Sequence, residues 1–525
     1  LKPEKKPHHP KKQSTSRIFA IPDGKNMHTS LNFALQLICE AYEKEAGSAG
    51  KFRYLDLYRA VKSCIAKQEI PPNWRLPSSR QLAERLGLSR TTVNTAYELL
   101  LLEKLIVSRA GSGYRVLSEE QADEVPAAEI QAAHAYPALS ALGESVLAHI
   151  GLMNRAPDVG IAFKPGLPPI DIFPINRWKN LLNSYWRHIR SSDLSYGQSS
   201  AAQHLRQQIC NYLHVSRSIR VHPDQVVVVS GSLQSLYFIA SALIDPGDTV
   251  VMENPTFPNV QAVFRSFRAE VHAIAPDAGG MQLHGVHDLR AIRPKLIHVT
   301  PSDHYPLGIK MSPERRLELL RQASECNALI IENDYEQEIA NGREKTPTLF
   351  SLDKEQRTIY LGTFNRLLYP SIRLGFMVLP PHLVDVIKAF EEHSHRFVSP
   401  SLQMVMGQFI ERNHLYQHLK NLEEVASQRL EVFRNSFAES VQSMDLMETG
   451  FRSLHVVAAF RESSSLQREQ TLIEALARKG IAAFPLSNCY AGENRQPGLI
   501  LGYSTVSPSA IRHKLQIFGE VVDAV

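Results

Sequence analysis

The feature that narrows the fold most is a set of short valine, isoleucine and leucine runs recurring through the middle of the chain. They fall at Val226 to Val229, Thr249 to Met252, Lys295 to Thr300, Ala328 to Ile331, Thr358 to Leu361 and Gly375 to Leu379, with helix-patterned stretches between them. The runs show little alternation of apolar and polar residues, as strands do when both faces of their sheet are covered. Buried strands taken in turn with helices predict an α/β domain around a mostly parallel sheet.

The fifth run leads into TIYLGTFNRLLYPSIRLGF, Thr358 to Phe376. Its strand is expected to break at Gly362 into a polar turn carrying Thr363, Asn365, Arg366 and Arg373. Hydroxyl, amide and guanidinium groups after a glycine turn can cradle an anion such as phosphate. The same residues suit a surface loop with two solvated arginines, and pattern alone leaves both readings open.

The N-terminal part is patterned differently. Leu31 to Glu45 reads as a helix ended by a Gly-Ser-Ala-Gly run, and Leu55 to Lys67 as a second. Then comes RLPSSRQLAERLGLSRTTVNTAYELLLLEKL. Ser78 is placed to cap a helix through Arg85 and Gly87 to make a tight turn. Ser89 is placed to cap a further helix carrying Val93, Ala96, Tyr97 and Leu100 inward. Two short helices joined through glycine form a helix-turn-helix, whose second helix enters the major groove N-terminus first. That arrangement directs Arg90, Thr91, Thr92 and Asn94 toward bases and phosphates. IVSRAGSGYRV, Ile106 to Val116, reads as a hairpin wing with Arg109 and Arg115 around its glycines. A plain helical hairpin with exposed basic residues is the alternative.

Charge favours the nucleic-acid reading. From Lys51 to Val116 there are twelve Lys or Arg against five Asp or Glu, a local excess larger than the net +5 of the whole chain. At 525 residues the chain is too long for one ordinary core. Four parts are expected: a disordered basic tail over 1–27, a DNA-binding domain over 28–117, a linker over 118–156 and a large domain over 157–525. No run reaches the ~20 apolar residues of a membrane span. The opening LKPEKKPHHPKKQ lacks the apolar core of a signal peptide, so a cytoplasmic protein without a membrane partner is expected. Five scattered cysteines without CxxC spacing indicate neither a disulfide framework nor a metal site.

The helix-turn-helix and wing, from RLPSSRQLAERLGLSRTTV to SRAGSGY, are similar to the GntR winged helix nearly residue for residue. The TIYLGTFNRLLYPSIRLGF stretch, with FKPGLPPIDIFPINRW, VVVVSGSLQSL, DPGDTVVMENPTFPNV, TPSDHYPLGIKMSPERR and IIENDYEQE, resembles MocR-type regulators. These fuse a GntR winged helix to a fold-type-I aminotransferase-like domain. The resemblance implies DNA contacts from Arg75, Arg80, Arg90, Thr91, Thr92 and the wing around Gly113. It also implies a pyridoxal phosphate site. There Ser232 and Thr363 would face the phosphate, with Arg373 as its cation. Phe257 would stack on the ring and Tyr335 would bond the ring hydroxyl.

Several positions depart from that family. Arg366 stands where its lysine forms the Schiff base, and a guanidinium keeps its proton and cannot attack an aldehyde. Asn333 replaces the carboxylate that pairs with the ring nitrogen. Asn259 and Ile500 stand where relatives carry arginines for a substrate carboxylate, and Lys104 where a glycine commonly ends the recognition helix. The resemblance therefore implies a transcription regulator that binds a double-stranded DNA operator as a homodimer. Its second domain senses a small anionic effector or only dimerises, without transaminase activity, and holds pyridoxal phosphate non-covalently where it binds it. The alternatives are an aminotransferase with residual catalysis and a purely dimerising scaffold.

Overall fold

The computed structural model describes residues 27–45, 53–109, 113–117, 138–153, 162–194, 200–335, 346–394, 396–447, 453–462 and 464–525. Contacts divide the chain into two compact units, Leu1–Pro137 and Ala138–Val525. The basic tail through residue 26 and linker residues 118–137 lie outside the described residues.

The first unit contains α1 (Met27–Glu45), α2 (Arg53–Ala66), α3 (Ser79–Leu86) and α4 (Arg90–Leu102), followed by the antiparallel hairpin of β1 (Ile106–Arg109) and β2 (Gly113–Val116). Local chemistry fixes each boundary. The Ser78 side chain accepts from the Gln81 amide, and the Gln81 side chain accepts from the Ser78 amide at 3.1 Å, a reciprocal cap that starts α3. Gly87, at φ 62°, ends it in the left-handed conformation. Ser89 Oγ accepts from the Thr92 amide at 3.0 Å and starts α4. Val93, Ala96, Tyr97 and Leu100 are all fully buried, as a helix-turn-helix requires. Tyr97 ties α4 to its surroundings twice. Its hydroxyl donates to the Pro77 carbonyl at 2.8 Å, and its ring meets Tyr114 of β2 edge-on with centroids 4.8 Å apart.

In the second unit, seven strands form the main sheet: β3 (Val226–Val229), β4 (Thr249–Glu253), β5 (Glu270–Ile274), β6 (Leu296–Val299), β7 (Leu329–Asp334), β8 (Thr358–Thr363) and β9 (Gly375–Val378). Their order is β3-β9-β8-β7-β6-β4-β5, with β9 antiparallel to both neighbours and every other pair parallel. Val226, Val228, Tyr360 and Phe376 enter one hydrophobic cluster, whereas Val227, Val229, Leu361 and Met377 enter another. Both faces are thus covered, which is why these strands read as uninterrupted apolar runs. The edge strand β5 was not among the expected strands. Its residues alternate between exposed and half-buried until Ile274, so it carries no such run. A smaller antiparallel sheet follows, of β10 (Met444–Leu446), β11 (His455–Phe460), β12 (Phe484–Pro485) and β13 (Gly498–Gly502).

Two expectations need correction. The fifth strand does not break at Gly362 but continues through Thr363, and Gly362 pairs with Phe376 of β9. The Phe376 ring lies where a Gly362 Cβ would go, so close packing rather than a turn requires glycine there. The segment read as a linker contains α5 (Ala141–His149), which groups with the second unit. There α6 (Ser232–Leu243) and α7 (Pro258–Ser266) follow β3 and β4, and α5 packs on α7, with Ser145 Oγ donating to the Arg265 carbonyl at 3.2 Å. Among the described residues no helix is long and apolar enough to cross a membrane, and no cluster of His, Cys, Asp or Glu could hold a metal ion.

Candidate DNA interface and ligand cleft

The caps that start α3 and α4 place their first residues in solvent. Arg80, Arg90, Thr91 and Asn94 are exposed. Thr92 is half-buried, and its hydroxyl shares a 2.8 Å hydrogen bond with Ser89 Oγ, so this side chain serves the cap. Arg75 lies along the wing, bridged to Arg115, with its guanidinium 3.7 Å from where a Gly113 Cβ would stand. Gly113 is at φ 78°, a conformation that favours glycine, which lets the wing turn beside that guanidinium. Arg115 donates to the Asn73 carbonyl at 2.9 Å. The Arg109 side chain lies outside the described residues.

In the second unit, Ser232, Phe257, Asn333, Tyr335, Thr363, Arg366 and Arg373 all line one cleft of about 200 Å³. It opens where the parallel strands β7 and β8 end and α6 begins. Ser232 is the first residue of α6, and Ser232 and Leu233 line the cleft at that helix's N-terminal end. Gly231 before it has φ 136°, and the Asn365 amide nitrogen lies 2.6 Å from where its Cβ would be. Asn365 donates to the Ser230 carbonyl at 3.3 Å and accepts from the Leu374 amide at 2.8 Å. This side chain therefore pins the end of β8 to the start of α6 and β9, a role its place in the sequence did not suggest. Thr363 Oγ1 accepts from the Asn365 amide at 3.2 Å, and its own hydroxyl proton can still be donated into the cleft. Arg373 is exposed at the mouth, at φ 50°.

Aromatic rings form the other wall. Phe257 stacks on Tyr305 with centroids 3.6 Å apart and planes 9° apart, and Tyr335 meets Phe257 edge-on at 4.9 Å. The Tyr335 hydroxyl donates to the Asp303 carbonyl at 2.9 Å. The Arg366 guanidinium sits within the cleft, its Cζ 5.1 Å from the centroids of both Phe257 and Tyr335, in cation–π range. Its nitrogens lie 3.2 and 3.3 Å from where a Gly166 Cβ would stand, so a side chain at 166 would crowd the guanidinium. Gly166 was not singled out from sequence, because one glycine in a proline-rich loop signals only a turn.

Asn333 is 5% exposed, with its Nδ2 3.3 Å from His298 Nε2 and its Oδ1 buried without a hydrogen-bond partner. His298 is fully buried, and burial pushes its imidazole down to about 3, so the ring behind Asn333 is neutral near pH 7. The adjacent carboxylate cannot substitute for the missing one. Successive strand residues face opposite sides of a sheet, and Asp334 is held in a buried ion pair with Arg217 while accepting from the Tyr360 hydroxyl at 2.7 Å. The described lining holds two arginines, no lysine and no carboxylate.

A winged helix-turn-helix in one unit and an α/β fold with an arginine-bearing cleft in the other define the class. Residues 53–116 match the model for bacterial regulatory proteins of the gntR family, and residues 170–507 match that for aminotransferase class I and II. The Probable rhizopine catabolism regulatory protein MocR of Rhizobium meliloti is 32% identical over 456 residues, covering 87% of this chain and 91% of that protein. The HTH-type transcriptional regulator YhdI of Bacillus subtilis is 30% identical over 468 residues, covering 88% and 94%. Among solved structures, a Pyrococcus horikoshii kynurenine aminotransferase superposes with a TM-score of 0.63 at 21% identity, covering 74% of this chain and 95% of that one, a likeness of fold. The chain belongs to the MocR-type regulators of the GntR superfamily. It is a DNA-binding transcription regulator with a fold-type-I aminotransferase-like domain, whose family resemblance points to pyridoxal phosphate.

Proposed function

We propose that the second unit is a non-catalytic sensor that holds a small phosphorylated ligand without a covalent bond, and that the protein acts on its operator as a cytoplasmic homodimer. The observation that carries this reading is Arg366 within the cleft, with no lysine among the described lining residues. Pyridoxal phosphate, when bound, supplies an electrophilic aldehyde and an electron-withdrawing ring. The residues present suit its phosphate and ring but not its attachment. The first-turn amides of α6, the Thr363 hydroxyl and Arg373 would hold a dianion. Phe257, one face of which is already covered by Tyr305, would offer only its other face to a flat ring, and Asn333 Oδ1, buried without a partner, asks for a donor. Arg366 keeps its proton at every accessible pH, so it neither attacks a carbonyl nor shuttles a proton.

Arg80, Arg90, Thr91 and Asn94, with Arg75, Arg109 and Gly113 at the wing, would face the operator, while Thr92 would support them through the α4 cap. Two half-sites need two such modules at a fixed spacing, which supports the dimer. The second unit exposes large apolar side chains that a partner copy could cover, among them Leu147 and Ile175 at 65% and Trp186 at 53%.

The test is to mix the protein with pyridoxal phosphate, reduce with borohydride and weigh the protein. The wild type should retain no added mass, whereas Arg366→Lys should gain a reducible covalent adduct. Retention by the wild type would show that another amine reaches the aldehyde, and the sensor reading would fall.

A further inference from the structure

His298 of β6 and Asn333 of β7 meet behind the cleft. The two strands are parallel and His298 lies opposite Ile331, so Asn333, two residues further on, leaves the same face of the sheet and reaches the imidazole diagonally. Their contact runs from Asn333 Nδ2 to His298 Nε2 at 3.3 Å. His298 is fully buried and Asn333 nearly so, yet Asn333 lines the cleft, where its Oδ1 has no hydrogen-bond partner among the described residues. An unmet buried acceptor at a cleft wall is a sign that a ligand completes the place.

The pair can offer a ligand either of two groups. His298 is neutral near pH 7, so one ring nitrogen carries a proton and the other does not, and no hydrogen bond to Nδ1 among the described residues fixes which. With the proton on Nδ1, Nε2 accepts from the amide and Asn333 Oδ1 is left for the ligand. With the proton on Nε2, the amide turns over, Oδ1 accepts from the imidazole and Nδ2 is left to donate. Neither arrangement creates a charge. For a pyridine ring the two differ. Oδ1 can bond the ring nitrogen only when that nitrogen is protonated and cationic, whereas Nδ2 bonds it bare. A buried cation is unfavourable unless an anion stands beside it. The described lining holds no carboxylate, and its charged residues, Arg366 and Arg373, are themselves cations whatever else they bond. Asp334, next along β7, is paired with Arg217 on the other face of the sheet. The turned amide gives both of its polar atoms a partner and leaves the ring neutral.

We infer that this cleft selects a pyridine-type phosphomonoester with its ring nitrogen unprotonated, held by a hydrogen bond from the turned Asn333 amide that His298 supports from behind. This inference rests on the non-covalent reading of the cleft given above. A ring that arrives protonated gives its proton to water or to its own ring oxygen. Solid-state 15N NMR of the full-length protein with ring-labelled 4′-deoxypyridoxine phosphate tests it, because this probe has no aldehyde and cannot attach. At a pH where the free compound carries its ring proton, the bound nitrogen should show the shift of the unprotonated compound. In Asn333→Asp, checked for folding by circular dichroism, it should show the shift of the protonated one. A protonated nitrogen in the wild type, or an unprotonated one in the folded variant, overturns the inference but leaves the sensor reading standing. Calorimetry adds an arm that needs no variant. The benzene analogue of the probe, with C–H in place of the ring nitrogen, should bind the wild type about tenfold weaker, and equal affinity overturns the inference. If inorganic phosphate matches both ring compounds, the ring plays no part and the inference fails. If none of the three binds, the sensor reading itself fails, and this inference with it.

Discussion

The two units differ in what their recognisable residues are used for. In the first unit the motif residues hold the fold and also set the solvent-facing residues proposed to meet DNA. Ser78 and Ser89 start the helices whose opening residues face solvent, and Tyr97 locks the second helix to the wing. In the second unit those tasks are separated. Asn365, Gly231 and Gly362 shape the cleft through backbone contacts and close packing, whereas Arg366 and Asn333 contribute side chains to the space inside it. A change at 366 or 333 therefore alters chemistry without dismantling the frame.

The first prediction attacks the claim that structure and interface are joined in the winged helix. Tyr97→Ala removes a fully buried ring together with its bond to the Pro77 carbonyl, and should destabilise the first unit by about 3–5 kcal/mol. Thermal unfolding should show the loss in an early transition assigned to that unit, with the second unit's transition unmoved. Equal displacement of both transitions would mean that the two units do not unfold separately. Next in size, Arg90→Ala should weaken operator binding on the order of ten- to a hundred-fold, with a smaller loss on random DNA, in a salt-controlled mobility-shift titration. Equal losses on both would remove Arg90 from base reading and leave it a phosphate contact.

How much of this was legible in the sequence follows the same division. The winged helix was readable because short-range chemistry encodes it, a serine cap at each helix start and a glycine at the turn between. The central strands were readable because burial on both faces erases alternation, and the edge strand β5 was missed because one face stays wet. The cleft residues were found by resemblance rather than by pattern. Gly166 and His298 reach the site from loops and strands far away in sequence, and no local spacing announces them. The role of Asn365 was hidden too, because an amide beside a threonine reads equally well as a ligand contact or as a pin between two backbones.

His298 gives the comparison a pH dependence confined to the second unit. Its imidazole titrates near 6.5 when unfolded and is pushed down to about 3 by burial, so below pH 6.5 the unfolded chain takes up a proton that the folded one refuses. The stability it contributes is complete above pH 6.5 and is lost as pH falls toward 3, by at most about 1.4 kcal/mol per pH unit. His298→Gln should flatten the second unit's loss of stability between pH 6 and pH 4 (roughly) without altering the first unit's, read from urea unfolding at each pH. An unchanged slope would mean that the buried ring already accepts a proton in the folded protein.

The smallest effect probes the one strained position at the end of the recognition helix. Lys104 follows α4 at φ 55°, a left-handed conformation that glycine adopts freely and a residue with a Cβ does not. Its side chain is exposed, and its amide already donates to the Leu101 carbonyl at 3.0 Å, so the backbone closes the helix whatever the side chain. Replacing it relieves the Cβ clash but also frees the unfolded chain, and the two terms oppose each other. Where φ is positive the relief is the larger, so Lys104→Gly should stabilise the first unit by up to about 1 kcal/mol. The lysine is at the far end of α4 from Arg90, so operator affinity at fixed salt should change by less than about threefold. A variant that gained stability but lost operator binding tenfold or so would place Lys104 at the DNA, and the interface would extend beyond the start of the helix and the wing.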